Sequence, residues 1–138
     1  MIDRIKLMSK CKESGKSITP QRFDIVEELS KLNSSISAYD LLKCLNDNGH
    51  SFNISTIYRV LDFWINTGVV HKVESNNTYL VCNDSHTDHF HVLLHCTSCD
   101  NIEESCKNSN KLSIPNINKF TPEEGQVIEL HGLCNNCN

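Results

Sequence analysis

Two Cys-x-x-Cys pairs, Cys96-Thr-Ser-Cys99 and Cys134-Asn-Asn-Cys137, constrain this chain more than any other feature. A Cys-x-x-Cys turn bends the backbone so that both sulfurs face one ion, and two such turns supply the four thiolates of a tetrahedral zinc shell. The 34 residues between the pairs, 100 to 133, exceed the spacing of a simple zinc ribbon, so a small domain is expected between the two knuckles. The competing readings of these cysteines are two disulfides or four buried free thiols. The stretch from Leu80 to Cys106 also carries four of the eight cysteines, four of the seven histidines and the adjacent Glu103 and Glu104, which marks it as a metal centre.

Composition decides between metal and disulfide. No apolar run among the 138 residues approaches membrane-spanning length, and the opening MIDRIKLMSKCKESGK lacks the apolar core and cleavage site of a secretory leader. A cytosolic, cytoplasmic protein is expected, where thiols stay reduced and eight cysteines point to metal. The net charge of -4 conceals an asymmetry. Residues 1 to 72 hold ten Lys and Arg against eight Asp and Glu, a balance of +2, and residues 73 to 138 hold three against nine, a balance of -6. The first part is suited to approach a phosphate backbone and the second to hold cations. Two domains are expected, 1–83 and 84–138, divided at the polar, turn-prone Cys82-Asn-Asp-Ser.

The first half reads as four helices and a hairpin. Ile5, Met8 and Cys11 with lysines between them give a short basic amphipathic helix broken at Gly15. Thr19-Pro20 starts a second helix, with Thr as the cap and Pro at the first helical position. Ser37-Ala-Tyr-Asp40 opens a third, which Asn48-Gly49 closes. Asn53 or Ser55 caps a fourth, with Ile57, Val60, Leu61 and Trp64 on one face and Gly68 at its end. VVHKVES and TYLVC, joined through Asn76-Asn77, then form a β-hairpin.

Helices followed by a hairpin make a winged helix-turn-helix, and the helix before the wing enters the major groove of double-stranded DNA by its N-terminal residues. Ser55, Thr56, Tyr58 and Arg59 are therefore candidate DNA contacts, the alternative being an ordinary solvated helix face. Tyr39 and Arg22, in first turns of helices, are placed either to touch phosphates or to cover apolar surface. Beyond the wing, His91 to Cys96 reads as a strand into the first knuckle, Asn101 to Cys106 as a strand out of it, and Gln126 to His131 as a strand into the second. A helix interrupted by Pro115 is expected within 107 to 120. The fold class is α+β, a winged helix followed by a small α/β domain carrying a four-cysteine zinc site.

In this order and over nearly the whole chain, ITPQR at 18 to 22, SAYDLL at 37 to 42, STIYRVLDF at 55 to 63, VHKVES at 70 to 75, the first Cys-x-x-Cys, EESC at 103 to 106 and HGLCNNC at 131 to 137 carry a resemblance. The chain resembles the ferric uptake regulator superfamily, most closely its zinc uptake regulator branch. The resemblance implies a zinc-responsive homodimeric repressor of zinc uptake genes, with zinc as co-repressor at a pseudo-palindromic operator. Cys96, Cys99, Cys134 and Cys137 match the structural zinc ligands, and His71, Cys82, His89 and Glu104 fall where that branch has its sensing ligands. About two zinc ions per monomer follow, one structural and one regulatory. Tyr58 and Arg59 fall on the DNA-reading positions.

The chemistry of the sensing set agrees. Two imidazoles, a thiolate and a carboxylate close a tetrahedral shell suited to zinc, whereas iron and manganese favour oxygen-rich, higher coordination. An iron- or peroxide-responsive regulator of the same superfamily is the alternative, and it is expected to manage without a thiolate at position 82. His86, His89, His91 and His95 crowd one segment, and alignment through the knuckle favours His89, with His91 as the alternative or as part of a further metal site. His95 and His131 read as core or supporting neighbours of the thiolates, and Cys11, Cys44 and Cys106 as small core residues. An enzyme is not expected. Glu129-Leu-His131 before Cys134 reverses the His-x-Glu order of a nucleobase deaminase and lacks its Pro, and four cysteines leave no open position for water. A zinc buffer would need no winged helix, and neither a membrane nor a small-molecule substrate is implied.

Overall fold

The computed structural model of the chain describes residues 3–32, 34–82, 91–105 and 126–138. They belong to two compact units, Met1–Cys82 and Asn83–Asn138. Among the described residues no helix is long and apolar enough to cross a membrane. His89, Cys106 and the helix expected around Pro115 lie outside the described residues.

The first unit contains α1 (Arg4–Glu13), α2 (Pro20–Ser30), β1 (Ile36–Ser37), α3 (Ala38–Asp47), α4 (Ile54–Asn66), β2 (Val70–Val73) and β3 (Thr78–Val81). Each helix starts on a side chain that satisfies an otherwise unpaired backbone N–H. Asp3 accepts from Ile5 N, Thr19 from Arg22 N, Ser37 from Asp40 N and Asn53 from Thr56 N. Asn53, not Ser55, is thus the cap of α4. Gly49 and Gly68, with φ of 96° and 78°, end α3 and α4 in the left-handed conformation that a side chain would resist.

The apolar faces of these helices converge on one core, in which Ile25, Leu41, Leu45, Ile57, Leu61 and Trp64 are completely buried. Trp64 cannot enter such a core without a partner for its indole N–H. It donates to the carbonyl of Arg22 at 2.9 Å, which ties α4 to the start of α2. The sheet has the order β1-β3-β2 and is antiparallel throughout, with His71 opposite Leu80 and Val70 opposite Val81. Asn77 turns the hairpin at φ 55°, a conformation that asparagine tolerates.

The second unit contributes β4 (His91–Cys96), β5 (Ile102–Glu104) and β6 (Val127–Gly132) in the order β5-β4-β6. β5 pairs antiparallel with β4, with Leu93 opposite Glu104 and His95 opposite Ile102. β6 pairs parallel with β4, from His91 opposite Val127 to Cys96 opposite Gly132. A parallel pair needs a crossover of a dozen residues or more, which the long chain between β5 and β6 supplies. Because β4 and β6 run the same way, both knuckles fall at the same end of the sheet.

Candidate metal centre and nucleic-acid interface

The shared strand direction brings the four knuckle sulfurs together. All four ligand atoms of Cys96, Cys99, Cys134 and Cys137 lie within 4.8 Å of one another. The first knuckle is shaped by backbone bonds. Asp100 N donates to Cys96 O at 2.9 Å, Cys96 N donates to Asn101 O at 2.9 Å, and Thr97 N reaches across to Gly132 O at 2.9 Å. Asp100 completes the turn at φ 59°, with its carboxylate 3.1 Å from His95 Nε2. In the second knuckle Cys137 N donates to Cys134 O at 3.0 Å.

The spacing suits a tetrahedral ion. Thiolates about 2.3 Å from zinc sit about 3.8 Å apart at the tetrahedral angle, and Cys99 Sγ lies 3.8 Å from Cys134 Sγ. The backbone N–H of Cys134, 3.4 Å from Cys96 Sγ, followed by that of Cys99, lowers the Cys96 thiol to about 6. Hydrogen bonding to the Cys134 side chain pushes Cys137 up to about 12. Four sulfurs this close repel one another as thiolates, so ionising them together requires a cation between them. The donor set therefore fits a closed structural zinc shell of the kind expected from the spacing.

The residues of the expected sensing set divide between the units. In the first, His71 is buried on β2 and Cys82 follows β3, with ligand atoms within 4.8 Å of each other. The Cys82 N–H donates to Val69 O at 2.8 Å, which extends the hairpin and holds the thiol beside the strand carrying His71. In the second, Glu104 pairs with Leu93, so β-alternation puts its side chain on the same face as His91, diagonally across. His91 Nδ1 lies 3.8 Å from Glu104 Oε1, with both side chains buried. His91, the alternative to His89 in the sequence, thus stands beside Glu104, while His89 lies outside the described residues.

On α4, Ser55, Tyr58 and Arg59 are exposed. Thr56 differs from expectation: at 8% exposure it belongs to the buried face with Val60 and Phe63, because positions i, i+4 and i+7 share one side of a helix. Tyr39 and Tyr58 meet edge to face at 6.5 Å, making an exposed aromatic couple between the starts of α3 and α4. Arg22 is half-buried, and its guanidinium lies 3.8 Å from the centre of the Phe63 ring. The loop that presents α4 is held by Asn46, whose amide donates to Phe52 O at 3.2 Å and accepts from Phe52 N at 3.0 Å.

The ferric uptake regulator family model matches residues 13–137. The zinc uptake regulation protein of Escherichia coli (strain K12) is 34% identical over 134 residues, covering 92% of this chain and 76% of that protein. The chain belongs to the ferric uptake regulator family. Among solved structures, a zinc uptake regulator complexed with zinc and DNA matches with a TM-score of 0.73 and 29% identity, covering 99% of this chain and 95% of that one. Holo XcZur matches with a TM-score of 0.71 and 26% identity over 96% and 94% of the two chains. As a family member with this fold the chain is a transcription regulator and not an enzyme.

Proposed function

We propose that this chain is a zinc-responsive, DNA-binding repressor of zinc uptake genes that works as a homodimer with zinc as co-repressor. The observation that carries this reading is the pairing of the Cys82 thiol with the His71 imidazole on the wing of a winged helix. A thiolate-imidazole pair selects zinc over iron or manganese, and its place in the wing joins metal to the DNA-binding unit. The relative described as a zinc uptake regulator complexed with zinc and DNA supports both parts of the reading.

In this reading Cys96, Cys99, Cys134 and Cys137 hold a structural zinc, and His71 and Cys82 share a regulatory zinc with His91 and Glu104, giving about two ions per monomer. His91 replaces His89 because it is the histidine beside Glu104. Zinc held by these four side chains would supply a centre that links metal to the DNA-binding unit. By holding that ion, His71, Cys82, His91 and Glu104 would favour one arrangement of the dimer. A dimer reads a pseudo-palindrome only when its two recognition helices lie about one helical turn apart or a multiple of it, so the ligated arrangement is the one selected for DNA. Tyr58, Arg59 and Ser55 would then face base edges, with Tyr39 beside them.

The test is zinc titration in an operator-binding assay with the parent and Cys82→Ser. The parent is expected to gain operator affinity with zinc, and the variant to stay dimeric while losing that dependence. Full zinc dependence in Cys82→Ser would place the sensor elsewhere, with the histidines between 86 and 95 next in line.

A further inference from the structure

Arg22 sits in the first turn of α2, where an arginine is a natural phosphate contact, yet three of its interactions are with neighbouring residues of this chain. Its guanidinium carbon lies 3.8 Å from the Phe63 ring centre, its Nη1 donates to Ser17 O at 2.8 Å, and its own carbonyl accepts the indole N–H of Trp64 at 2.9 Å. Phe63 and Trp64 are consecutive residues of α4, packed edge to face at 4.9 Å. One residue of α2 therefore grips two adjacent residues of α4, with its side chain on one ring and its backbone on the other. Successive positions on a helix point about 100° apart, so holding both fixes the rotation of α4 about its axis as well as its position. Lys16 Nζ, 5.4 Å from the same Phe63 ring, adds a second cation from the loop that Arg22 also holds.

Phe63 stands one turn after Arg59 on α4, and side chains four apart lie on one face. A small rotation of α4 about its axis would sweep Arg59 and Tyr58 away from their aim without unfolding anything. We propose that Arg22 is a positioning residue for the recognition helix, acting through its stack on Phe63 and its bond to Ser17, and not a phosphate contact. This inference rests on the DNA-binding reading given above. It is chemically distinct from a charge role, because a lysine at 22 keeps the charge but loses the planar guanidinium that both stacks and forks.

The experiment compares the zinc-loaded full chain with Arg22→Lys, Arg22→Gln and Phe63→Leu, measuring affinity for operator and for random duplex over a range of salt. Positioning predicts that Arg22→Lys and Arg22→Gln lose operator affinity alike, by about five- to thirty-fold. Random-duplex binding and the salt slope should stay at parent values, and Phe63→Leu should lose operator affinity with Arg22 in place. A phosphate contact predicts a near-parental lysine variant and a glutamine variant whose salt slope falls by about 0.9 per protomer, weakening both duplexes equally. That outcome, or parental affinity in all three variants, overturns the proposal.

Trp64 is the chain's single tryptophan, so its emission reports the clamp without DNA. Arg22→Lys should shift that emission in folded protein, and unchanged emission would also count against the clamp. If the parent itself fails to distinguish operator from random duplex, the repressor reading falls, while the emission change still decides whether Arg22 holds α4.

Discussion

Replacing Cys96 by serine is expected to unfold the sheet unit while leaving the winged helix intact. Val92, Leu93 and Ile102 are the buried aliphatic side chains among the described residues of this unit. At about 1.5 to 3 kcal/mol for each buried side chain they contribute about 5 to 9 kcal/mol. A closed structural zinc contributes about 10 to 16 kcal/mol near neutral pH, more than that apolar burial and comparable with the whole stability of a small domain. Cys96 is the ligand whose loss costs most. It is the buried member of the four, it accepts the Cys134 N–H, and its backbone closes the first knuckle through Asn101 and Asp100. A serine hydroxyl is a poor zinc ligand, and the remaining three thiolates would repel one another around an open shell.

The assay combines metal analysis, sizing in solution and thermal unfolding of the Cys96→Ser chain with zinc in excess. The expected result is loss of the tightly held zinc, loss of the dimer, and one surviving transition from the helical unit followed by Trp64 emission. Retention of that zinc together with the dimer would refute the structural assignment of the four cysteines.

Mild chelation of the parent should remove one zinc per monomer and spare the other, because four thiolates bind more tightly than a mixed set of imidazole, thiolate and carboxylate; a single zinc resisting every chelator would end the two-site reading. Arg59→Ala should cost about 1 to 3 kcal/mol per half-site in operator binding while leaving dimerisation and zinc content unchanged, and an unaltered ratio of operator to random-DNA affinity would return Arg59 to the status of a solvated residue. Burial raises the thiol of Cys11 above its ordinary value of 9.0 and the phenol of Tyr79 above 10.0. The folded form of each group holds its proton after the unfolded form has released it, so this stability is complete below about pH 9 and drains away as pH rises beyond it. Urea unfolding between pH 8 and 10 should show that decline, and Cys11→Ala should flatten its first part; an unflattened curve would mean Cys11 does not titrate on unfolding.

Much of the fold is legible in the sequence because it rests on short-range chemistry. Thr19-Pro20, Ser37, Asn53, Gly49 and Gly68 act on backbone groups within a turn of themselves, and the apolar spacing of Ile57, Val60, Leu61 and Trp64 gives the face α4 must bury. The cysteine spacing likewise determines a tetrathiolate set, since each turn aims its own two sulfurs. Three matters were not local. Thr56 is polar and adjoins the exposed Ser55, but helical phase places it with Val60 and Phe63. For Arg22 the sequence leaves phosphate contact and apolar cover equally open, and its stack on Phe63 and bond to Trp64 come from residues of α4 41 and 42 positions later. That His91 stands diagonal to Glu104 depends on how β4 pairs with β5, and sequence spacing alone cannot express a register between separate strands. The chain by itself determined which ligands, caps and apolar faces exist; tertiary structure decided which side chains meet, because pairing register and helix rotation are set by contacts between residues far apart in sequence.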